Sequence, residues 1–335
     1  MKQKIAEFSF LHVFAILLVV LGHSFYQTNS LIVDWLYQFH VPLFFFVSGY
    51  LFHVSVNGRP LQPHIFLSRK AVRLLLPYFA LSTLLFVPKV LLSQFMVRPI
   101  QASWREYVLM LIYPYRNVNS SYWFLPTLFL LFVFAAVALL FFQRLKHRTS
   151  LTVTTLLLTL LALANISLPF SHDTLFNVVG VIHYAFYFAL GYFVFSFGLM
   201  RFLDKRKTSF LVVLFTFVVS IIGLRVNKSP LMDLFFATGG ILMSVALARL
   251  YAKYGLRFLN HLSPASYTIY LYHGIFQALS LQILMRFTHF DIGFYIILAF
   301  LSGVYGSFLV YKLLYRCRNS RLGRILAVIS GISVS

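Results

Sequence analysis

Long apolar segments recur along the whole chain. Each runs for about 20 residues and lacks the alternation of polar and apolar positions that a membrane β-barrel strand would show. Because about 20 helical residues cross a bilayer core of about 30 Å, the pattern predicts an all-α polytopic membrane protein. Ten transmembrane helices are predicted, near residues 8–26, 36–56, 72–96, 122–142, 150–168, 175–198, 209–225, 231–252, 264–285 and 292–315.

The composition agrees with a membrane protein and excludes other classes. Of the 335 residues, 60% are apolar and 10% are charged, and the mean hydropathy is +0.85. A water-soluble domain carries about 25% charged residues, and disordered chains have few apolar residues. A single cysteine, Cys317, excludes an internal disulfide. No linker, repeat or low-complexity segment divides the chain, so we predict one membrane-embedded domain over residues 1–335.

The net charge of +21 raises the question of nucleic-acid binding, which strongly basic proteins often show. The charges instead follow the predicted topology. With the N-terminus inside, 21 of the 28 Lys and Arg residues fall in inner segments and 7 in outer segments, as the positive-inside rule requires. We therefore expect both termini in the cytoplasm and no nucleic-acid partner, since no single face gathers the charge.

Histidines inside the predicted spans are the first candidates for chemistry, because an ionisable side chain in the membrane is costly unless it faces a cavity or a partner. His12 and His23 lie 11 residues apart in the first span, so they share one helical face about 16 Å apart along the axis. His40 begins the second span, and His273 lies near the middle of the ninth. Each of His23, His40 and His273 could instead be a structural histidine, a reading that fits His23 least well because of its depth.

Other polar residues accompany these histidines. Tyr267 and Tyr270 precede His273 at three-residue steps and share a helical stripe with it. Ser48 and Gly49 interrupt the apolar second span, where small residues can allow a neighbouring helix to approach closely. Packing alone would also explain this pair.

A basic cluster precedes the apolar part of the third span. Arg69 and Arg73 are four residues apart, and Lys70 and Arg73 three, so these side chains share a helical face. Such a group can bind phosphate, with the Arg forks giving bidentate geometry and the Lys a point charge. An ordinary inner-side anchor would have the same sequence.

Motifs of other chemistries are absent from the sequence. It contains no HExxH, no Cys/His spacing typical of metal sites, no phosphate-binding GxxxxGK[ST] loop and no GxSxG elbow, so we expect no metal. None of the seven carboxylates lies in a clear span interior, which argues against a carboxylate proton relay. Asp34 and Asp233, at outer boundaries, could orient a histidine or simply be solvated.

Five segments in this order carry a family resemblance: FLHVFAILLVVLGHSF at 10–25, FHVPLFFFVSGYLF at 39–52, RKAVRLLLPY at 69–78, YWFLPTLF at 122–129 and SYTIYLYH at 266–273. The chain resembles the acyltransferase 3 family, bacterial inner-membrane enzymes with ten core helices that move acyl groups from acyl-CoA to extracytoplasmic glycans. Because no further domain follows the last span here, the resemblance is to the stand-alone branch without an esterase-like domain.

The resemblance also implies roles for particular residues. His23 matches the essential histidine of the family, and His12 stands where the family has Arg or Lys. Lys70 and Arg73 match the RxxR motif of the third helix, with Arg69 adjacent, and would bind the phosphates of the donor, acetyl-CoA or another acyl-CoA. His23 would be the general base on an acceptor hydroxyl, and Tyr270, His273 or Ser48 would donate to the oxyanion; an acyl-His intermediate is a second route.

Two readings without covalent chemistry stay open at this stage. The same histidines could line the path of a polytopic transporter or glycan flippase, or the protein could be a subunit of a polysaccharide-export complex. On the enzymatic reading, the partners are acyl-CoA, a glycan or lipid-linked saccharide, and the lipid bilayer of the bacterial cytoplasmic membrane.

Overall fold

The computed structural model describes residues 2–25, 28, 30–57, 61–95, 100–142, 147–171, 173–226, 229–288 and 290–332. The protein is 84% helical, and the described residues contain no strand, so the all-α prediction is confirmed. Five of the basic residues counted in the predicted topology lie outside the described residues: Arg59, Arg98, Arg144, Lys146 and Lys228.

Fourteen α-helices follow one another in the described chain. Short 3-10 turns join several of them, and a π-helical turn over Ser302–Gly306 interrupts the last predicted span. The helices are α1 Lys2–Ser24, α2 Leu31–Tyr37, α3 His40–Val56, α4 Pro63–Leu91, α5 Trp104–Ile112, α6 Phe124–Phe142, α7 His147–Ser167, α8 Val178–Ser196, α9 Arg206–Gly223, α10 Pro230–Lys253, α11 Ser266–Phe287, α12 Ile292–Leu301, α13 Ser307–Cys317 and α14 Arg321–Ile329.

Eight helical segments of the described chain are long and apolar enough to cross a membrane, and they coincide with eight of the ten predicted spans. The other two predicted spans are also helical. The apolar part of α7, Leu151–Ser167, is shorter than the other candidates. The 22 residues of α11 include serine, tyrosine, histidine and glutamine, which lower the mean hydropathy of this helix.

The chain forms two compact units, each built from several sequence segments. Unit 1 comprises Met1–Asn57, Leu156–Ser167 and Tyr184–Tyr311, and unit 2 comprises Gly58–Thr155, Leu168–His183 and Lys312–Ser335. All the histidines predicted as catalytic lie in unit 1, and the predicted basic cluster lies in unit 2.

In unit 1, α1 is surrounded by other helices and packs against α3, α10, α11 and α12. The contact between α3 and α8 is especially close. A Cβ atom on Gly49 would overlap the carbonyl oxygen of Phe188, and one on Gly191 would overlap that of Phe46. The prediction that Gly49 allows close helix approach is therefore confirmed.

In unit 2, α4 packs against α6, α5 and α14. Polar side chains hold the segment between α5 and α6 in place. The Tyr78 hydroxyl donates to the Leu111 carbonyl at 3.0 Å, the Asn117 amide donates to the Ser82 hydroxyl at 2.7 Å, and the Lys89 ammonium donates to the Val118 carbonyl at 2.7 Å. Of these bonds, the one from Lys89 satisfies a backbone carbonyl that the irregular segment would otherwise leave unpaired.

An ion pair joins this segment to the loop before α8 in unit 2. The Arg116 guanidinium holds both carboxylate oxygens of Asp173, with an Nε to Oδ1 distance of 2.8 Å, and also lies over the Tyr113 ring. The hydrogen bonds and charge of Arg116 lower the pKa of Asp173 below its usual value. Both side chains are about half exposed, so solvent screens most of this attraction.

Candidate active site

Three of the predicted histidines meet in unit 1. His23 lies one residue before the end of α1, and its ring centroid is 5.4 Å from that of His273 on α11, with 40° between the planes. His40, at the start of α3, is close enough to His23 to interact with it electrostatically. Among the described residues, these histidines do not form a group that could hold a metal ion.

The three side chains differ in accessibility. His40 is 3% exposed and His273 is fully buried, whereas His23 is exposed. No hydrogen bond joins either ring nitrogen of His23 to another described residue. Of the three imidazoles, that of His23 is therefore the one that the protein encloses least.

Hydrogen bonds to carbonyl groups fix the tautomers of the two buried histidines. His273 Nδ1 lies 2.7 Å from the Tyr270 carbonyl oxygen, and His40 Nδ1 lies 2.8 Å from that of Leu36. Because a carbonyl only accepts, Nδ1 carries the proton in both rings. In the neutral imidazoles, Nε2 is then an acceptor.

Two polar residues that the sequence analysis did not single out anchor α1 beside His23. The Gln277 amide nitrogen, one turn after His273 on α11, donates to the Val20 carbonyl and to the Ser24 hydroxyl, both at 2.8 Å. The Ser24 hydroxyl in turn donates to the Val20 carbonyl at 2.7 Å. A polar residue four positions after His273 in an apolar span was the sequence signal for Gln277.

The remaining oxyanion candidates are placed differently. The buried Ser48 hydroxyl donates to the Phe44 carbonyl at 2.9 Å, so its proton is engaged within its own helix. The Tyr270 ring is 6.1 Å from that of His273 and 6.4 Å from that of Phe44. The Tyr270 ring therefore contacts the histidine cluster through His273.

His12 occupies the same continuous helix as His23, three turns nearer the N-terminus, as predicted. Its Nδ1 lies 2.8 Å from the Ser266 hydroxyl at the start of α11. Because that hydroxyl donates its proton to the Ser263 carbonyl at 2.8 Å, it accepts from His12. His12 therefore ties α1 to the first residue of α11, and the Phe8 ring stacks on it at 6.1 Å.

The basic cluster is at the first third of α4 in unit 2. Arg69 and Arg73 are exposed, but Lys70 is only partly exposed. The Lys70 ammonium lies over the Phe132 ring, 4.1 Å from its centroid, and 5.2 Å from that of Phe66. Two aromatic faces thus hold this cation, whereas the two arginines present their guanidinium groups at the surface.

All seven carboxylates are described, and each lies in an ion pair or at the start of a helix. Arg249 holds Glu7 at 3.3 Å and Asp204 at 2.6 Å, and Arg116 holds Asp173. The other four lie in the first turns or at the N-caps of helices, where they face the positive end of the helix dipole: Asp34 in α2, Glu106 in α5, Asp233 in α10 and Asp291 at α12.

The fold and this site define a class: an all-α, multi-pass membrane protein with imidazole groups in contact at the end of a helix that packs against several others. A profile of the acyltransferase 3 family, described as an acyltransferase domain, matches residues 5–334. The chain belongs to this family, and acyl transfer is its general activity. Searches of curated proteins and of solved structures found no match.

Proposed function

We propose that this protein transfers an acyl group, in the first instance acetyl, from cytoplasmic acyl-CoA to a hydroxyl of a cell-surface or lipid-linked glycan, at the bacterial cytoplasmic membrane. Family membership supports acyl transfer. The donor, the acceptor and the membrane are part of the proposal, and they follow from the family resemblance of the five segments in the first, second, third, fourth and ninth spans.

His23 is the proposed general base. The observation that carries this role is an exposed imidazole in contact with a buried one at the end of α1. Ion pairs engage Glu7, Asp173 and Asp204, and the other four carboxylates lie at helix N-termini, whereas an imidazole can take a proton near neutral pH.

In the proposed reaction, one proton passes from the acceptor hydroxyl to His23 and then to the leaving thiolate. The acceptor hydroxyl attacks the thioester carbonyl while its proton passes to His23, and a tetrahedral oxyanion forms. The oxyanion collapses, the C–S bond breaks, and the CoA thiolate takes up the proton from the His23 imidazolium. The products are the O-acyl ester and CoA, and His23 returns to its neutral form.

Tyr270 is the proposed oxyanion donor among the three candidates. Ser48 already donates its proton to Phe44, and the protonated nitrogen of His273 donates to Tyr270. The Tyr270 hydroxyl belongs to a side chain that contacts the histidine cluster through its ring. Removing one such donor from an acyl-transfer site costs about 10²–10³ in kcat.

Arg69, Arg73 and Lys70 are proposed to bind the donor phosphates, with His12 as a further donor-binding residue. The exposure of both arginines supports bidentate phosphate binding. Lys70 is expected to contribute its charge and the stability of α4, because its ammonium lies against two rings.

Acyl transfer by the purified full chain in lipid nanodiscs tests the proposal. The assay supplies acetyl-CoA labelled in the acetyl group and membranes from a strain lacking the gene, and it measures free CoA and label in the glycan fraction. His23→Ala is expected to lower transfer about 10²–10⁴-fold while leaving expression and membrane insertion unchanged. His261→Ala is the control, because His261 is exposed and hydrogen-bonded only locally, to Phe258.

Near-normal transfer by His23→Ala would contradict its role as base. A protein that consumes no acetyl-CoA in the presence of these membranes would instead be a transporter or an export subunit. Label that stays on the wild-type protein after the acceptor is withheld would favour an acyl-His intermediate over direct transfer.

A further inference from the structure

One ring nitrogen of His273, Nε2, is buried and forms no hydrogen bond to a described residue. Its side chain is fully buried, and Nδ1 is hydrogen-bonded to the Tyr270 carbonyl at 2.7 Å, with the Ile269 carbonyl at 3.3 Å. Nε2 is also enclosed, and no described residue forms a hydrogen bond to it. Because Nδ1 holds the ring proton, Nε2 is a lone-pair acceptor, and an enclosed acceptor without a donor costs free energy.

The ring of His23 lies beside the ring of His273. The two centroids are 5.4 Å apart and the planes are inclined by 40°, so the rings meet obliquely instead of stacking face to face. His23 is neutral as a base and therefore has one N–H to donate and one lone pair. It has no hydrogen bond to another described residue.

We propose that His273 is a positioning residue: it accepts a hydrogen bond from His23 through Nε2 and thereby fixes the His23 tautomer that leaves the other nitrogen free to act as base. This inference rests on the proposed function of His23. The first bond, from His273 Nδ1–H to the Tyr270 carbonyl, is present in the structure, and the bond from an N–H of His23 to His273 Nε2 is the one proposed. His273 thus acts on the reaction only through His23 and touches neither substrate.

The proposed bond would also stabilise an imidazolium at His23 without a second charged group beside it. When the acceptor proton moves to His23, the positive charge is shared through the N–H of His23 with the lone pair of His273. His273 stays neutral, because a second proton at Nε2 would create a charge on a fully buried ring. A neutral partner avoids the cost of burying a second charge, which a carboxylate in this position would carry.

Hydrogen bonds one turn from His273 support this positioning role. Gln277, one turn further along α11, bonds to Ser24 and to Val20 on α1. The same helix therefore fixes both the acceptor nitrogen and the turn of α1 that carries His23. His40 is also buried with its Nδ1 bonded to a carbonyl, but its ring contacts Tyr37 at 4.6 Å, whereas the ring in contact with His23 is that of His273.

Two substitutions of His273 separate positioning from packing. In His273→Asn the amide nitrogen takes the place of Nδ1 and keeps the bond to Tyr270, but nothing remains at Nε2. In His273→Gln the longer side chain brings its carbonyl oxygen near the former Nε2, so an acceptor is restored while the Nδ1 bond is lost. A purely structural histidine predicts that Asn preserves activity at least as well as Gln.

Positioning predicts the reverse order. We expect His273→Asn to lower kcat about 100-fold with KM for acetyl-CoA within about threefold of the wild type, and His273→Gln to stay within about tenfold in kcat. Equal kcat values, or a higher value for Asn, would overturn the proposal. His261→Asn is the matched control, because His261 Nδ1 is also bonded to a carbonyl three residues earlier, at 2.8 Å. We expect this variant to leave kcat unchanged.

The double variant His23→Asn, His273→Asn shows whether the two residues act as one unit. If His273 acts through His23, the double variant has the same residual rate as His23→Asn alone. A further loss of at least tenfold would mean that His273 acts independently, and the positioning role would be rejected. Inactive wild-type protein would count against the proposed function, whereas inactive His23→Asn with fully active His273→Asn would count only against this inference.

A measurement on the wild type keeps the proposal testable if the His273 variants do not fold. Solid-state NMR of protein labelled with ¹⁵N-histidine, with His23 assigned by the loss of its signals in His23→Gln, reads the protonation of each nitrogen. We expect one protonated and one unprotonated nitrogen in His23 and a correlation across an N–H···N bond to a second histidine. Absence of that correlation in folded protein would overturn the proposal.

Discussion

The side-chain amide of Gln277 on α11 lies 2.8 Å from the hydroxyl of Ser24 on α1, the residue that directly follows His23. The two residues are 253 positions apart in sequence, and both are buried. This bond fixes the end of the helix that carries the proposed base against the helix that carries His273.

Replacing Gln277 with Leu is expected to loosen that end of α1. The Ser24 hydroxyl and the Val20 carbonyl would lose a donor in a buried place, so the free energy of unfolding should fall by about 1–3 kcal/mol. Unfolding by SDS titration in mixed micelles measures the change. A double-mutant cycle with Ser24→Ala should give a coupling of at least about 0.5 kcal/mol, and additive effects would show that the two side chains do not interact.

Replacing Gly49 with Ala is expected to separate α3 from α8. The new methyl group would overlap the Phe188 carbonyl oxygen, a backbone atom that cannot rotate away, so we expect a loss of at least about 1–3 kcal/mol in the free energy of unfolding. Gly239→Ala in α10 is the control, because nothing lies within 4 Å of its Cβ position. In thermal unfolding in detergent, we expect a lower midpoint for Gly49→Ala and an unchanged midpoint for Gly239→Ala. Equal midpoints in the two variants would refute the close packing.

The exposed arginines of α4 should contribute more to donor binding than Lys70. Arg69→Gln and Arg73→Gln are each expected to raise KM for acetyl-CoA about tenfold with little change in kcat, because each removes a phosphate ligand. Lys70→Gln should change KM less and lower the thermal midpoint more, since it removes a cation held over Phe132 and Phe66. Steady-state kinetics and thermal unfolding on the same preparations distinguish the two effects, and an unchanged KM in both arginine variants would reject the phosphate role.

The Arg116–Asp173 ion pair should give a small stability term that depends on pH. Since Arg116 lowers the pKa of Asp173 in the folded state, the term is present above the ordinary pKa of an aspartate, about 4, and is lost as the pH falls through the lower folded value. Asp173→Asn should therefore cost about 0.2–1 kcal/mol at pH 7 and almost nothing near pH 2. Thermal midpoints of the two proteins at both pH values test this, and an equal difference at both pH values would contradict the sign.

Some features of the site could be predicted from the sequence because they depend on local spacing. The positions of His12 and His23 on one face of α1 follow from 11 residues of continuous helix, and the structure has that helix. Gly49 was identified as a point of close approach, and α8 packs there. The family also follows from the order of short segments spread along the chain, and residues 5–334 match it.

Other features of the site could not be predicted from spacing along the chain. Lys70 and Arg73 were grouped because they are three residues apart, but the structure turns Lys70 onto the rings of Phe66 and Phe132. The sequence offers Ser48 as a donor to the oxyanion, but in the structure its hydroxyl donates to the Phe44 carbonyl within its own helix. The proximity of His23 to His273 joins residues 250 positions apart, and spacing along the chain carries no information about it.

The sequence by itself determined that the chain is helical, that apolar spans follow one another, and that histidines in place of carboxylates occupy those spans. The tertiary structure decided which histidine is exposed, which nitrogen of His273 holds the proton, and which helix fixes the end of α1. The physical reason is that lipid and protein interior are both apolar, so membrane helices carry little sequence signal for the face that packs inward. Tautomers and hydrogen-bond partners then follow from contacts that exist only once the helices are assembled.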